Sequence, residues 1–127
     1  SKYAEEYNVH NIRLITPTTD KRRLKDVLKH TSGFLYYVSV MGITGTKKPL
    51  VSTVKKSIKQ IRKISKLPIC VGFGISKKSQ IQSLNKFADG CVIGSALVKF
   101  IEEFSQTKIS EKKMLNNISD FLEKLQK

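Results

Sequence analysis

The sequence has no tryptophan, and among its 127 residues only two are cysteine, two histidine and three proline. Cys70 and Cys91 fall inside apolar, β-prone runs with no CxxC spacing and no histidine nearby. The simpler reading is a pair of free thiols in a reducing compartment, rather than a disulfide or a zinc site. His10 and His30 stand in polar junctions without ligand-like partners, so no metal site is expected. No apolar run approaches the ~20 residues of a membrane span. The opening SKYAEEYNVH lacks the basic-then-apolar pattern of a leader peptide. A cytoplasmic protein is expected.

Acidic residues are scarce as well. Ten Asp and Glu face 24 Lys and Arg, for a formal net charge of +14. Lysines occur in every predicted helix, mostly between the apolar positions, with no stripe of interleaved aromatics. This pattern reads as solvated helix faces, which together make a field favouring anionic substrates. A basic nucleic-acid-binding module is the non-catalytic alternative, and it would show salt-sensitive DNA binding with no response to phosphate.

What is present is clearest between Leu67 and Phe100, LPICVGFGISKKSQIQSLNKFADGCVIGSALVKF. The stretch reads as strand, helix, strand, helix. Each strand ends in small residues, Gly72-Phe73-Gly74-Ile75-Ser76 and Gly94-Ser95, that open into a helix. Glycine lets main-chain N–H groups come close to a ligand, and a helix starting there aims its free amides and positive dipole end at the same point. Two such turns on neighbouring parallel strands would cradle a dianion. The first expectation is a phosphate site.

Along the chain, residues 2–7 read as the tail of a helix, and Ile12 to Thr16 as a strand stopped by Pro17. Thr18-Thr19-Asp20 offers N-caps for a helix carrying Leu24, Val27 and Leu28. Phe34 to Val40 is a strongly β-prone strand. The loop MGITGTKKP precedes a lysine-rich helix with Leu50, Val54, Ile58, Ile61 and Ile64 as its apolar stripe. GITGTKK lacks the GxxxxGK[ST] spacing of a nucleotide-hydrolase loop. A third strand spans Pro68 to Val71, and a short helix carries Ile81, Leu84 and Phe87. A fourth strand, Cys91 to Ile93, leads into a helix from Ser95 to about Phe104. Ser110 caps a last helix with Leu115, Ile118, Leu122 and Leu125 inward.

Four successive βα units, their strands starting roughly 22 to 34 residues apart, imply a parallel sheet, since each crossover needs a helix. Such a set makes a small open sheet or half of an eight-stranded barrel. No GxGxxG fingerprint follows the first strand, and Gly/Ser/Thr-rich turns recur at successive strand ends, as on a barrel's catalytic rim. The expected fold is therefore α/β, a parallel (βα)4 half of a TIM (βα)8 barrel, filling residues 1–127 as one domain. The strand ends offer donors and flexible backbone, while the carboxylates lie in helices or on the strands' entry side. Asp20 comes nearest and is explained as a helix cap. Neither histidine is on the rim, so no proton-transfer group is visible there. The chain reads as the binding half of an active site.

In order and spacing, YNVHNIRLITPTT, SGFLYYVSVMGITGT, GFGISKKSQI and ADGCVIGSALVKFIEE resemble the C-terminal half of the α subunits of tryptophan synthase, a (βα)8-barrel family. The resemblance implies a lyase that cleaves indole-3-glycerol phosphate to indole and glyceraldehyde 3-phosphate, for tryptophan biosynthesis. It implies a β-subunit partner in an α2β2 complex, with pyridoxal phosphate in that partner and no cofactor in this chain. By the same resemblance Gly45, Gly74, Gly94 and Ser95 hold the phosphate, and Tyr36 and Phe73 line the substrate pocket. Gly42-Ile43-Thr44-Gly45 matches a mobile lid, with Thr44 supporting a catalytic aspartate. The chain departs from the family just before that lid, with Val40-Met41 in place of a pair that often includes arginine. The family's catalytic glutamate and aspartate belong to the barrel's first half, so the chain is expected to be inert alone, with unpaired sheet edges at 12–16 and 90–94; it is expected either to be a fragment of a longer protein or to dimerise to complete a barrel. Another phosphate-binding barrel, an isomerase or synthase, is the alternative enzyme class.

Overall fold

Alternating apolar runs and amphipathic stretches fold into ten elements, in a computed structural model that describes residues 2–39, 51–72, 74–107 and 109–126. They are α1 (Lys2–Glu6), β1 (Arg13–Ile15), α2 (Lys21–Lys29), β2 (Leu35–Val38), α3 (Val51–Arg62), β3 (Ile69–Gly72), α4 (Lys78–Leu84), β4 (Gly90–Val92), α5 (Ser95–Ser105) and α6 (Glu111–Gln126). The strands form one four-stranded sheet in the order β1-β2-β3-β4. Every neighbouring pair is parallel, with Leu14, Tyr36, Cys70 and Gly90 in one cross-strand row. Among the described residues β1 and β4 are the sheet's edges, as the sequence pattern requires of four βα units in series.

Strand residues two apart share a face, which sorts the sheet into two surfaces. Ile15, Leu35, Tyr37, Ile69 and Val71 point to the helices and are buried, together with Val54, Ile58 and Ile61 of α3, and Ile81 and Leu84 of α4. Each such aliphatic side chain contributes on the order of 1.5–3 kcal/mol by leaving water. The opposite surface carries Leu14, Tyr36, Cys70 and Val92; Leu14 is 63% exposed. This is the surface that a closed barrel turns to its interior.

The helices start and stop for local reasons. Asp20 is the N-cap of α2 and accepts the Arg23 N–H at 2.9 Å. Ser110 accepts the Lys113 N–H at the start of α6. Two positions of the expected apolar stripes turn outward. Ile64 lies beyond the last residue of α3 and is 51% exposed, and Leu115 of α6 is 59% exposed. Leu125 of α6 is buried as expected, and Phe121 joins it on the inward face; the Phe121 ring stacks on Phe100 of α5 at 4.5 Å.

At the strands' entry end, Asp89 Oδ2 accepts both the Ile69 N–H, at 2.7 Å, and the Arg62 guanidinium. One carboxylate thus ties α3, the start of β3 and the turn into β4 together. Burial pushes its pKa up, but the Ile69 amide and Arg62 outweigh that and hold the carboxyl below its ordinary range. A lowered native pKa means stability that is complete at neutral pH and lost as pH falls through the native value. Asp89→Asn is expected to cost about 1–2 kcal/mol in urea unfolding at neutral pH, with the difference from the parent shrinking in acid.

Tyr37 illustrates the opposite case. Its hydroxyl is buried facing Ser57 of α3 without a hydrogen bond of good geometry, and burial pushes its pKa up. Removing a polar atom that is not satisfied costs nothing in lost bonds. Tyr37→Phe is expected to leave the unfolding free energy unchanged or raise it by up to about 1 kcal/mol.

Candidate functional site

The C-terminal ends of β3 and β4 lie side by side because the two strands pair in register, Gly72 with Val92. Gly72 is buried, and the Tyr36 phenol lies across it. A Cβ at this position would fall 2.6 Å from Tyr36 Cζ and 3.2 Å from Val92 Cβ, so only glycine fits beneath the ring. Ser39 fastens the same point from β2, its N–H and its hydroxyl both donating to the Gly72 carbonyl at 3.0 Å. Its hydroxyl is thereby committed to the scaffold. The Thr16, Thr18 and Thr19 hydroxyls are likewise drawn together in the turn after β1.

Gly74 then takes φ +71°, a left-handed conformation that glycine adopts without strain. The helix does not open directly from this turn, contrary to the expectation from sequence. Instead α4 begins at Lys78, and the Ser76 and Lys77 amides donate to Gln80 Oε1 at 3.0 and 2.9 Å. With those donors turned inward, the β3 side brings the backbone around Gly74 to the site, and no helix end.

The β4 side is built as expected. Gly94 is the N-cap of α5, with no side chain capping it, and Ser95 is the first helical residue. The Leu97 and Val98 amides turn back onto the Gly94 carbonyl at 2.9 and 3.1 Å. The Ser95 and Ala96 amides precede the first intrahelical bond and point out of the helix start. Gly94 is exposed, and a Cβ added there would meet no atom within 4 Å.

Gly74 and Ser95 line one open cleft of about 500 Å³, with Ser76 and Ala96 beside them. From this mouth the cleft runs along α5 past Lys99 and Glu103, over a floor of Phe100 and Phe121. Lys99 is one of the lysines that the sequence pattern places on solvated helix faces, and Glu103 one of the carboxylates it places in helices. Their signal was nonetheless present, since Ser95, Lys99 and Glu103 recur every four residues and therefore share one face of a helix.

The remaining predicted site residues separate into two groups. Tyr36 lies on the barrel-facing surface, over Gly72, and does not line this cleft. Thr44, Gly45 and Phe73 lie outside the described residues.

All ten carboxylates are described. Asp20 is the one in a loop on the strands' exit side, and it caps α2. Asp89 is at the entry end, and Glu103 stands two turns along α5 from Ser95, about 12 Å by helical rise. His10 packs near Gly33 and His30 Nδ1 meets the Asp26 carbonyl at 2.9 Å, both on the entry side. Among the described residues no three His, Cys, Asp or Glu side chains converge as metal ligands do, and no helix is long and apolar enough to cross a membrane.

Four parallel βα units, with a cleft where two neighbouring strands release their chain into a glycine turn and a helix start, fit part of a (βα)8 barrel. Comparison with known proteins makes the assignment specific. A family model for the tryptophan synthase alpha chain matches residues 1–127. The tryptophan synthase alpha chain of Methanocaldococcus jannaschii is 46% identical over 114 residues, which is 87% of this chain and 41% of that one. Its counterpart in Carboxydothermus hydrogenoformans is 39% identical over 116 residues, 91% of this chain and 43% of that one. The solved tryptophan synthase subunit alpha from Campylobacter jejuni superposes with a TM-score of 0.74 at 37% identity, covering 92% of this chain and 45% of that structure. The chain belongs to the tryptophan synthase alpha chain family, and it spans about two fifths of the length of the curated relatives it matches.

Proposed function

We propose that this chain supplies the phosphate-holding part of a cytoplasmic lyase that cleaves indole-3-glycerol phosphate into indole and glyceraldehyde 3-phosphate. The observation that carries the reading is the shared cleft of Gly74 and Ser95 at the exit ends of β3 and β4. The ester's oxygens accept the outward-pointing Ser95 and Ala96 amides at the positive end of α5, with the Ser95 hydroxyl as a further donor. The open space at Gly94 lets the ester approach the main chain, and the Gly74 backbone closes the cradle from β3. Gly45 is assigned to the same cradle, Tyr36 and Phe73 to the indole pocket, and Thr44 to the lid.

Holding the phosphate fixes the glycerol chain for the carbon–carbon cleavage. Binding energy from this non-reacting group then positions the reacting centre. The retro-aldol step moves one proton off the glycerol hydroxyl next to the ring and one onto the indole carbon released. This chain's rim carries no free carboxylate or imidazole for either transfer. Those roles are assigned to carboxylates outside these 127 residues. The partner is a tryptophan synthase β subunit that takes up indole; pyridoxal phosphate is its cofactor, and none is assigned to this chain.

The test is to join residues 1–127 to the complementary part of the Methanocaldococcus jannaschii alpha chain and measure indole release from indole-3-glycerol phosphate. Release that saturates with substrate and is inhibited by glycerol 3-phosphate is expected. A folded chimera that binds neither compound would refute the reading.

A further inference from the structure

We propose that Lys99 is an anion-binding residue of the cleft, adding a mobile positive charge to the fixed amides of the α5 start; this rests on the phosphate reading above. Ser95, Lys99 and Glu103 form one stripe along the cleft wall. Helical side chains lean toward the N-terminus of their helix, so the Lys99 stem points back along this stripe toward Ser95. One turn of four residues is about 6 Å, a span that the four-carbon lysine stem bridges. Among the described residues lining the cleft Lys99 is the one cation, and it has no carboxylate within ion-pairing distance. The other lysines and arginines of the chain raise its general field; this one shares a wall with the cradle.

The surroundings sharpen the effect. The Phe100 and Phe121 floor excludes water from one side of the path between Lys99 and Ser95, which lowers the local screening. Glu103 stands a turn farther out and gives the cleft a polarity, positive at the mouth and negative at the far end. A phosphate ester is drawn to Ser95 by Lys99 and kept from sliding outward by Glu103. A dianion about 6 Å from a lysine in water-like screening gains about a tenfold advantage in affinity at low salt, and less as salt is added.

The experiment titrates inorganic phosphate into the isotopically labelled 127-residue chain and follows the Gly94, Ser95 and Ala96 amides by NMR, at low and high salt. Lys99→Met is expected to weaken binding about tenfold at low salt, Lys99→Arg to stay within about twofold of the parent, and Glu103→Gln to tighten binding two- to threefold. These opposite signs are an electrostatic signature that a merely structural lysine would not produce. Lys99→Met binding within twofold of the parent, while Gly94→Ala still abolishes the shifts, would overturn the role of Lys99 and leave the cradle intact. Absence of any shift at Ser95 in the parent chain would overturn both.

Discussion

Purified alone, the 127-residue chain is expected to release no indole from indole-3-glycerol phosphate above the uncatalysed rate. The reason is an inventory of proton-transfer groups. Each of the ten carboxylates has a place that the reaction cannot use. Asp20 holds the Arg23 amide at the start of α2. Asp89 is tied to Ile69 and Arg62 at the opposite end of the sheet. Glu103 is about 12 Å of helix away from Ser95, and the others lie on α1, α2, α5 and α6. The two histidines stand on the entry side. A positioned general acid or base contributes on the order of 10²–10⁴ in rate, and a retro-aldol cleavage uses both, so their absence leaves binding without turnover. Indole release that co-purifies with the chain and scales with its concentration would show a proton-transfer group where none is placed.

The second large effect is at Gly94. Gly94→Ala is expected to lower phosphate affinity at least tenfold while leaving the fold intact. Glycine at this position has φ −115° and ψ −84°, and an added methyl meets no protein atom within 4 Å. The stability cost is that of a helix N-cap exchange, up to about 1 kcal/mol. The methyl would instead occupy the space through which an ester reaches the Ser95 and Ala96 amides. Gly74→Ala makes the informative contrast. Its φ of +71° places the cost in the fold itself, roughly 1–2 kcal/mol of backbone strain, so binding and stability fall together. Thermal unfolding and phosphate titration of both variants separate the cases. Equal phosphate affinity in Gly94→Ala and the parent would mean that the ester does not approach here.

The alternation of strands and helices was legible because each βα unit states its own period. Val54, Ile58 and Ile61 mark a helix face, and the LYYV run of β2 marks a strand with Leu35 and Tyr37 buried. The glycine turns were legible for the same local reason. Three features depend on particular side-chain contacts, local or distant, and not on a repeating period. The delay of α4 to Lys78 follows from Gln80 folding back onto the Ser76 and Lys77 amides. The outward turn of Leu115 follows from Phe121 stacking on Phe100. The place of Lys99 on the cleft wall follows from how α5 sits against α6, and in a chain with 24 basic residues one more lysine looked like solvent-facing surface. Tyr36 is a case between these. Its strand was evident, but its seat across Gly72 emerges only from the register of β2 with β3.

The most direct measurement is an amide shift map of the chain with saturating inorganic phosphate. The account predicts that Gly74, Gly94, Ser95 and Ala96 move together along one binding curve, while the entry-side amides around Gly33 and Asp89 stay still. Shifts confined to the lysine-rich outer faces of α2 and α3, with residues 74 and 94–96 unmoved, would contradict it.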